Sequence, residues 1–150
     1  MEKIEFRILG ENADKQVILF QNYIQKSGIE QLESIEIVRV ESHEGEMGAG
    51  KFVNALNAFV GEIKTSIVQV LKSSFSFSLK FRSDMLLIFN EVELKIEYSP
   101  KNEASDEMFK RLEALILETM AKQVNTTIVC GNGNIVLQDV NGSTVSIKKE

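Results

Sequence analysis

The stretch HEGEMGAGKF, residues 43–52, concentrates the side chains with the most chemical promise in this chain. From Gly45 it completes the spacing G-x-x-x-x-G-K, ending at Gly50 and Lys51. A phosphate loop of that form wraps backbone N–H groups around a nucleotide's phosphates and sets a lysine on the outer ones. Its next residue, Ser or Thr, gives a hydroxyl to Mg²⁺. Here the next residue is Phe52, which cannot bind magnesium, and Glu44 and Glu46 bring negative charge where the phosphates would lie. The spacing therefore predicts a glycine-rich connection from a strand to a helix. Nucleotide binding or sensing by residues 45–51 is the alternative. The helix N-terminus after such a loop could also receive an acidic side chain or a C-terminus from a partner.

The remaining reactive side chains are few. His43 is the single histidine and Cys130 the single cysteine, which leaves no set of such ligands for zinc. His43 lies between Glu41 and Glu44 in a polar loop, away from any nucleophile the sequence can place beside it. Cys130 sits in an apolar run and reads as a small buried hydrophobe; a lone thiol excludes an intrachain disulfide and fits a reducing compartment. The expectation is a protein without catalytic residues, metal or cofactor. A formal charge of −5, with acids and bases interleaved, argues against nucleic acid and acidic membranes as partners. The N-terminus MEKIEFRILG reads directly as a strand rather than a leader, and no apolar run approaches a membrane span, so a cytoplasmic protein is expected.

These residues need elements to position them. Ile4, Phe6 and Ile8 alternate with charged residues and predict a half-buried strand. Asn12 can cap a helix over residues 13–27, with Val17, Ile18, Phe20 and Ile24 as its apolar set and Gly28 at a left-handed C-cap. IEIVRV (35–40) predicts a second strand. Phe52, Leu56, Phe59, Val60, Ile63, Ile67, Val70 and Leu71 recur every three or four residues, which predicts one helix from Lys51 to Lys72 with Gly61 at a close contact. SFSFSLKFR (74–82) alternates and predicts a strand, MLLIF (85–89) a central strand, and VELKIEY (92–98) a third strand of an antiparallel meander. A last helix starts at Ser105 or Asp106 and carries Met108, Phe109, Leu112, Leu115, Ile116 and Met120.

The order β-α-β-α-β-β-β-α predicts an α/β (α+β) sandwich: a mixed sheet covered by helices over residues 1–122, with a right-handed parallel β-α-β crossover at its start. Its core would be the 52–71 stripe against Phe75, Phe77, Leu79 and Phe81. From Gln123 the composition changes. Residues 123–150 hold two Asn-Gly pairs, at 132–133 and 141–142, and predict a three-stranded tail over about 126–131, 134–140 and 143–148. Two-residue turns at both would set Val136 between Val129 and Ile147, Gln138 opposite Val145, and Val140 opposite Ser143. The tail must then either dock on its own domain or pair with another chain, and the composition break favours the second. Its interaction residues would be Asn134, Val136, Gln138, Val140, Val145 and Ile147.

The loop residues Gly45, Met47 and Gly48 form a G-x-M-G motif between a strand and a predicted long helix. Over residues 3–98 this arrangement resembles the effector-associated constant component family of bacterial conflict systems. NIVLQDVNGSTVSI (134–147) is similar to the short strand-turn-strand segments that end many bacterial defence proteins. These resemblances imply a non-catalytic adaptor in an anti-phage system. It would couple a sensor to an effector such as a caspase-like or trypsin-like peptidase through Gly45, Met47, Gly48 and the tail, with self-association through the tail as a further option.

Overall fold

The computed structural model describes residues 1–9, 13–41, 52–98, 106–122, 126–131, 134–139 and 144–148. Eight strands and three helices follow one another as β1 (Glu2–Leu9), α1 (Ala13–Lys26), β2 (Leu32–Glu41), β3 (Phe52–Val60), α2 (Ile63–Phe81), β4 (Asp84–Phe89), β5 (Val92–Ile96), α3 (Asp106–Lys122), β6 (Thr126–Gly131), β7 (Asn134–Asp139) and β8 (Thr144–Lys148). The strands form one mixed sheet in the order β2-β3-β1-β4-β5-β6-β7-β8, antiparallel throughout except between β5 and β6. The helices pack side by side on one face of it, with α2 between α1 and α3.

The expected α+β class holds, but the middle of the chain is arranged differently. Residues 52–60 are strand β3, not the first half of a long helix. Leu56, Ala58 and Val60 point into the core at a period of two, while Ala55, Asn57 and the half-buried Phe59 take the other face. Both faces carry apolar residues, and their sum imitates a helical interval of three and four. Gly61 marks the true break. Its N–H bonds the Gln31 carbonyl at 3.0 Å, and a Cβ built on it would come within 2.7 Å of the Gln31 side chain. The core is therefore not one helical stripe on a strand of phenylalanines.

The alternating run SFSFSLKF is the end of helix α2, not a strand. Phe75 and Phe77 lie about 200° apart on a helix, so they point to opposite flanks. A helix with a neighbour on each side can bury both. Phe77 meets Phe20 at 4.8 Å and Tyr23 at 5.8 Å between ring centroids on α1, while Phe75 meets Phe109 on α3 at 5.4 Å. Ser66, Ser74 and Ser78 are buried, small enough for the helix to pack closely, while Ser76 between the two rings is exposed. At the helix end Arg82 is left-handed (φ 54°), and the Ser78 hydroxyl donates to the Ser83 carbonyl at 2.7 Å.

β1 and β2 run in the same direction, as a β-α-β unit requires, but β3 is inserted between them and pairs with both. They are thus not adjacent parallel neighbours. Helix α1 buries Val17, Phe20 and Ile24 as expected, whereas Ile18 and Leu19 are 54% and 45% exposed. Gly28 has the left-handed φ of 67° that its place after α1 requires. MLLIF is central, as its continuous apolar character suggests, and of the expected meander only the hairpin β4–β5 forms.

That hairpin turns through Asn90 and Glu91, both with positive φ (45° and 65°), between the paired residues Phe89 and Val92. This is the type I′ geometry, whose second position favours glycine. A side chain in the left-handed region costs about 1–2 kcal/mol, part of which glycine gives back as unfolded-state entropy. Glu91→Gly should therefore stabilise the protein by roughly 0.5–1 kcal/mol, read as a higher urea midpoint. An unchanged or lower midpoint would count against the turn type.

β6 joins the main sheet by pairing in parallel with β5, Leu94 opposite Ile128 and Ile96 opposite Cys130. Ile128, Cys130 and Ile135 belong to the same core cluster as the helices. Of the two dispositions open to the tail, its first strand takes docking on its own chain. The β6–β7 register is the expected one, with Val129 opposite Val136 and Ile128 opposite Leu137. The β7–β8 register is shifted by one residue: Gln138 meets Thr144, Leu137 meets Val145, Val136 meets Ser146 and Ile135 meets Ile147. With a period of two, that shift moves Val145 and Ile147 into the register rows of the buried Ile128 and Cys130.

Candidate functional site

The residues singled out for recognition fall only in part among the described ones. Gly45, Met47, Gly48 and Val140, together with His43, Lys51 and the acids Glu44 and Glu46, lie outside the described residues. What flanks the glycine-rich segment is described: β2 on one side, β3 on the other, paired antiparallel as neighbours. The segment therefore connects two strands of a hairpin. A phosphate loop needs a helix N-terminus directly after its lysine; Phe52 instead opens a strand. The strand-to-helix connection expected from the sequence is corrected on that ground.

The helix N-terminus expected to receive an acidic group exists elsewhere, at the start of α2. It is filled from within the chain. The Ile63 N–H donates to Glu2 Oε2 at 2.5 Å, and Asn90 Nδ2 donates to Glu2 Oε1 at 3.1 Å. A carboxylate there answers both an unpaired N–H and the positive end of the helix. Glu2, Gly61, Glu62, Lys64 and Met120 line an open depression of about 280 Å³ around this point. Sequence reasoning missed Glu2 because its partner is 61 positions away.

On the sheet face opposite the helices, Arg7 Nε donates to Glu5 Oε2 at 2.7 Å, with side chains only 7% and 13% exposed. Asn57, the cross-strand neighbour of Glu5, is buried and its Oδ1 has no hydrogen-bond partner. The alternation of β1 marks these positions as one face, but not that the face is largely shielded from water.

Cys130 is buried, and burial first, then the Glu97 carboxylate, push its thiol up from 9.0 to about 12. At neutral pH it is a thiol, not a thiolate nucleophile. Between pH 9 and 12 the unfolded chain loses this proton and the folded one keeps it. Stability contributed by the protonated thiol is therefore complete below pH 9 and falls as pH rises, by up to about 1.4 kcal/mol per unit. Urea midpoints measured at pH 8, 9 and 10 should fall more steeply for the wild type than for Cys130→Ala. Equal slopes would show that the thiol is not buried in this way. Among the described residues no group of three or more His, Cys, Asp or Glu converges to hold a metal.

The sheet's two edges differ. β2 closes one side with ten residues, of which Glu33, Glu36, Arg39 and Glu41 are charged, and its pairing is irregular between Leu32 and Ser34. Charges and bulges on an edge discourage another strand from pairing there. β8 closes the other side with TVSIK, whose one charge is at its last position. The tail residues Asn134, Val136 and Gln138 lie on β7, and Val145 and Ile147 on β8. Apart from Val140, the tail residues of the expected interaction set thus lie on the last strand of the described sheet and its neighbour. None of the described helices is long and apolar enough to cross a membrane.

Fold and edges together define a two-layer α+β protein with, among the described residues, one blunted and one open strand edge. Comparisons with family models, curated proteins and solved structures give no match to this chain.

Proposed function

We propose that the protein is a non-catalytic adaptor of a bacterial conflict system. It acts in the cytoplasm and brings an effector, of the caspase-like or trypsin-like peptidase class, under the control of a sensor through strand-edge contacts. The observation that carries this reading is the contrast between the edges. β2 is charged and irregular, whereas β8 pairs with β7 alone among the described strands and carries a single lysine at its end. Main-chain pairing to an open edge supplies affinity, and alternate side chains supply selectivity. The kind of system is taken from the sequence resemblances of residues 3–98 and 134–147, the first of which implied a helix where β3 lies. The protected thiol of Cys130 agrees with a role that needs no nucleophile.

The test is binding to the effector peptidase encoded in the gene's neighbourhood. The full chain should form a complex that survives size exclusion, and deletion of residues 144–150 should weaken it at least tenfold. No such effector gene, or binding indifferent to that deletion, would count against the adaptor reading.

A further inference from the structure

In the free protein, the edge that an effector would pair with has a definite occupant, which the effector displaces. We infer that β8 pairs with β8 of a second copy of this chain, antiparallel, with Ser146 on the two-fold axis; this rests on the strand-edge reading above. On an edge strand, alternate residues point their N–H and C=O groups outward. Two identical antiparallel strands can meet only with outward residues opposite outward residues. The axis must therefore pass through a residue and not between two. β8 spans Thr144–Lys148, and centring on Ser146 alone pairs all its positions. Thr144 then faces Lys148 of the second copy, Val145 faces its Ile147, and Ser146 faces its Ser146.

Three features of the register support this arrangement. Val145 follows Ile128 and Leu137 in one row, and Ile147 follows Cys130 and Ile135 in the next. Pairing Val145 with Ile147 of the second copy joins these rows across the axis, so that apolar positions meet apolar positions. The charges also agree. Antiparallel pairing keeps the two Lys148 residues roughly 14 Å apart, beyond the ~8 Å screening length at physiological salt. A parallel in-register stack would set them about 4.8 Å apart, where like charges repel. Finally, an antiparallel pair consumes both open edges and leaves the charged β2 at each outer end, so the assembly closes as a dimer.

Sedimentation of the full chain should show a concentration-dependent dimer. Ser146→Lys and Ser146→Glu, checked for native circular dichroism, should each weaken it at least tenfold. Their equimolar mixture should restore it, because only this register sets Lys opposite Glu. As a second measure, Ser146→Cys should oxidise to a covalent dimer, since directly opposed residues lie within disulfide reach. Thr144→Cys, which faces Lys148 of the second copy, should not. A wild type that stays monomeric at all concentrations, one that forms fibres, or equal cross-linking of the two cysteine variants would overturn the inference. Loss of effector binding on deleting residues 144–150 from such a monomer would leave the adaptor reading standing. A dimer that binds no effector would remove the adaptor reading and keep this one.

Discussion

Phe77→Ala is expected to lower the stability of the protein by about 3–5 kcal/mol, a large part of a typical domain's total. Phe77 is fully buried where α1 and α2 meet. Its ring stands edge-on to Phe20 and Tyr23 and lies 4.5 Å from that of Phe81. Phe20 in turn meets Phe6 of β1 at 5.0 Å, so one ring ties the helical layer to the sheet. Truncation removes the buried surface and leaves a cavity that two helices and a sheet cannot easily close. Urea unfolding gives the measurement: the midpoint should fall with an unchanged slope. Leu79→Ala is the discriminating control. On a strand, Phe77 and Leu79 would share a face and cost alike. On helix α2, Leu79 is only half-buried and should cost about 1 kcal/mol or less. Equal losses at the two positions would restore the strand.

The reason this helix reads as a strand is instructive. Periodicity reports which residues are buried, and a helix with one partner buries one stripe. α2 has three partners: the sheet beneath, α1 on one flank and α3 on the other. Its buried set, from Ile63 through Ser66, Val70, Ser73 and Phe75 to Ser78, covers most of the circumference and leaves no simple stripe. By contrast α1, β5 and α3 each bury a single face, and their residues alternate or recur as that geometry demands. β3 shows the converse case, two apolar faces imitating one helical stripe.

The candidate site was legible only in composition. TVSIK and the turn signals around it announce short strands of low charge. That β8 ends the sheet, and that β3 enters between β1 and β2, depend on pairings between distant segments that no local pattern records. The one-residue shift between β7 and β8 has the same origin. Turn chemistry is local, but burial of Ile128 and Cys130 under the helical layer is a property of the whole fold. Glu2 at the head of α2 is a third instance, a cap supplied from the far end of the domain.

Ile128→Ala should cost about 2–4 kcal/mol and unfold the whole protein in one step. Ile128 stands at the centre of β6, between Leu94 of β5 and Leu137 of β7 in the register, and is fully buried. It lies in the composition that sets residues 123–150 apart, yet it shares one core with Phe75, Met85 and Ile116. If the tail were a separate unit, its loss would leave the helical layer and β1–β5 intact. The pairing says otherwise. Without β6, Leu94 and Ile96 would lie on an open edge with the parallel ladder unmade, including the 2.8 Å bond from the Glu97 N–H to the Cys130 carbonyl. Backbone groups and apolar surface exposed together are expensive. Circular dichroism and tyrosine fluorescence should therefore report coincident transitions in wild type and variant, both shifted in the variant. Tyr23 is the useful probe, since its ring contact with Phe77 sits in the α1–α2 interface at the other end of the helical layer from the β6 strand. Two separated transitions, or a loss under about 0.5 kcal/mol, would show that the last strands fold apart from the sheet they extend.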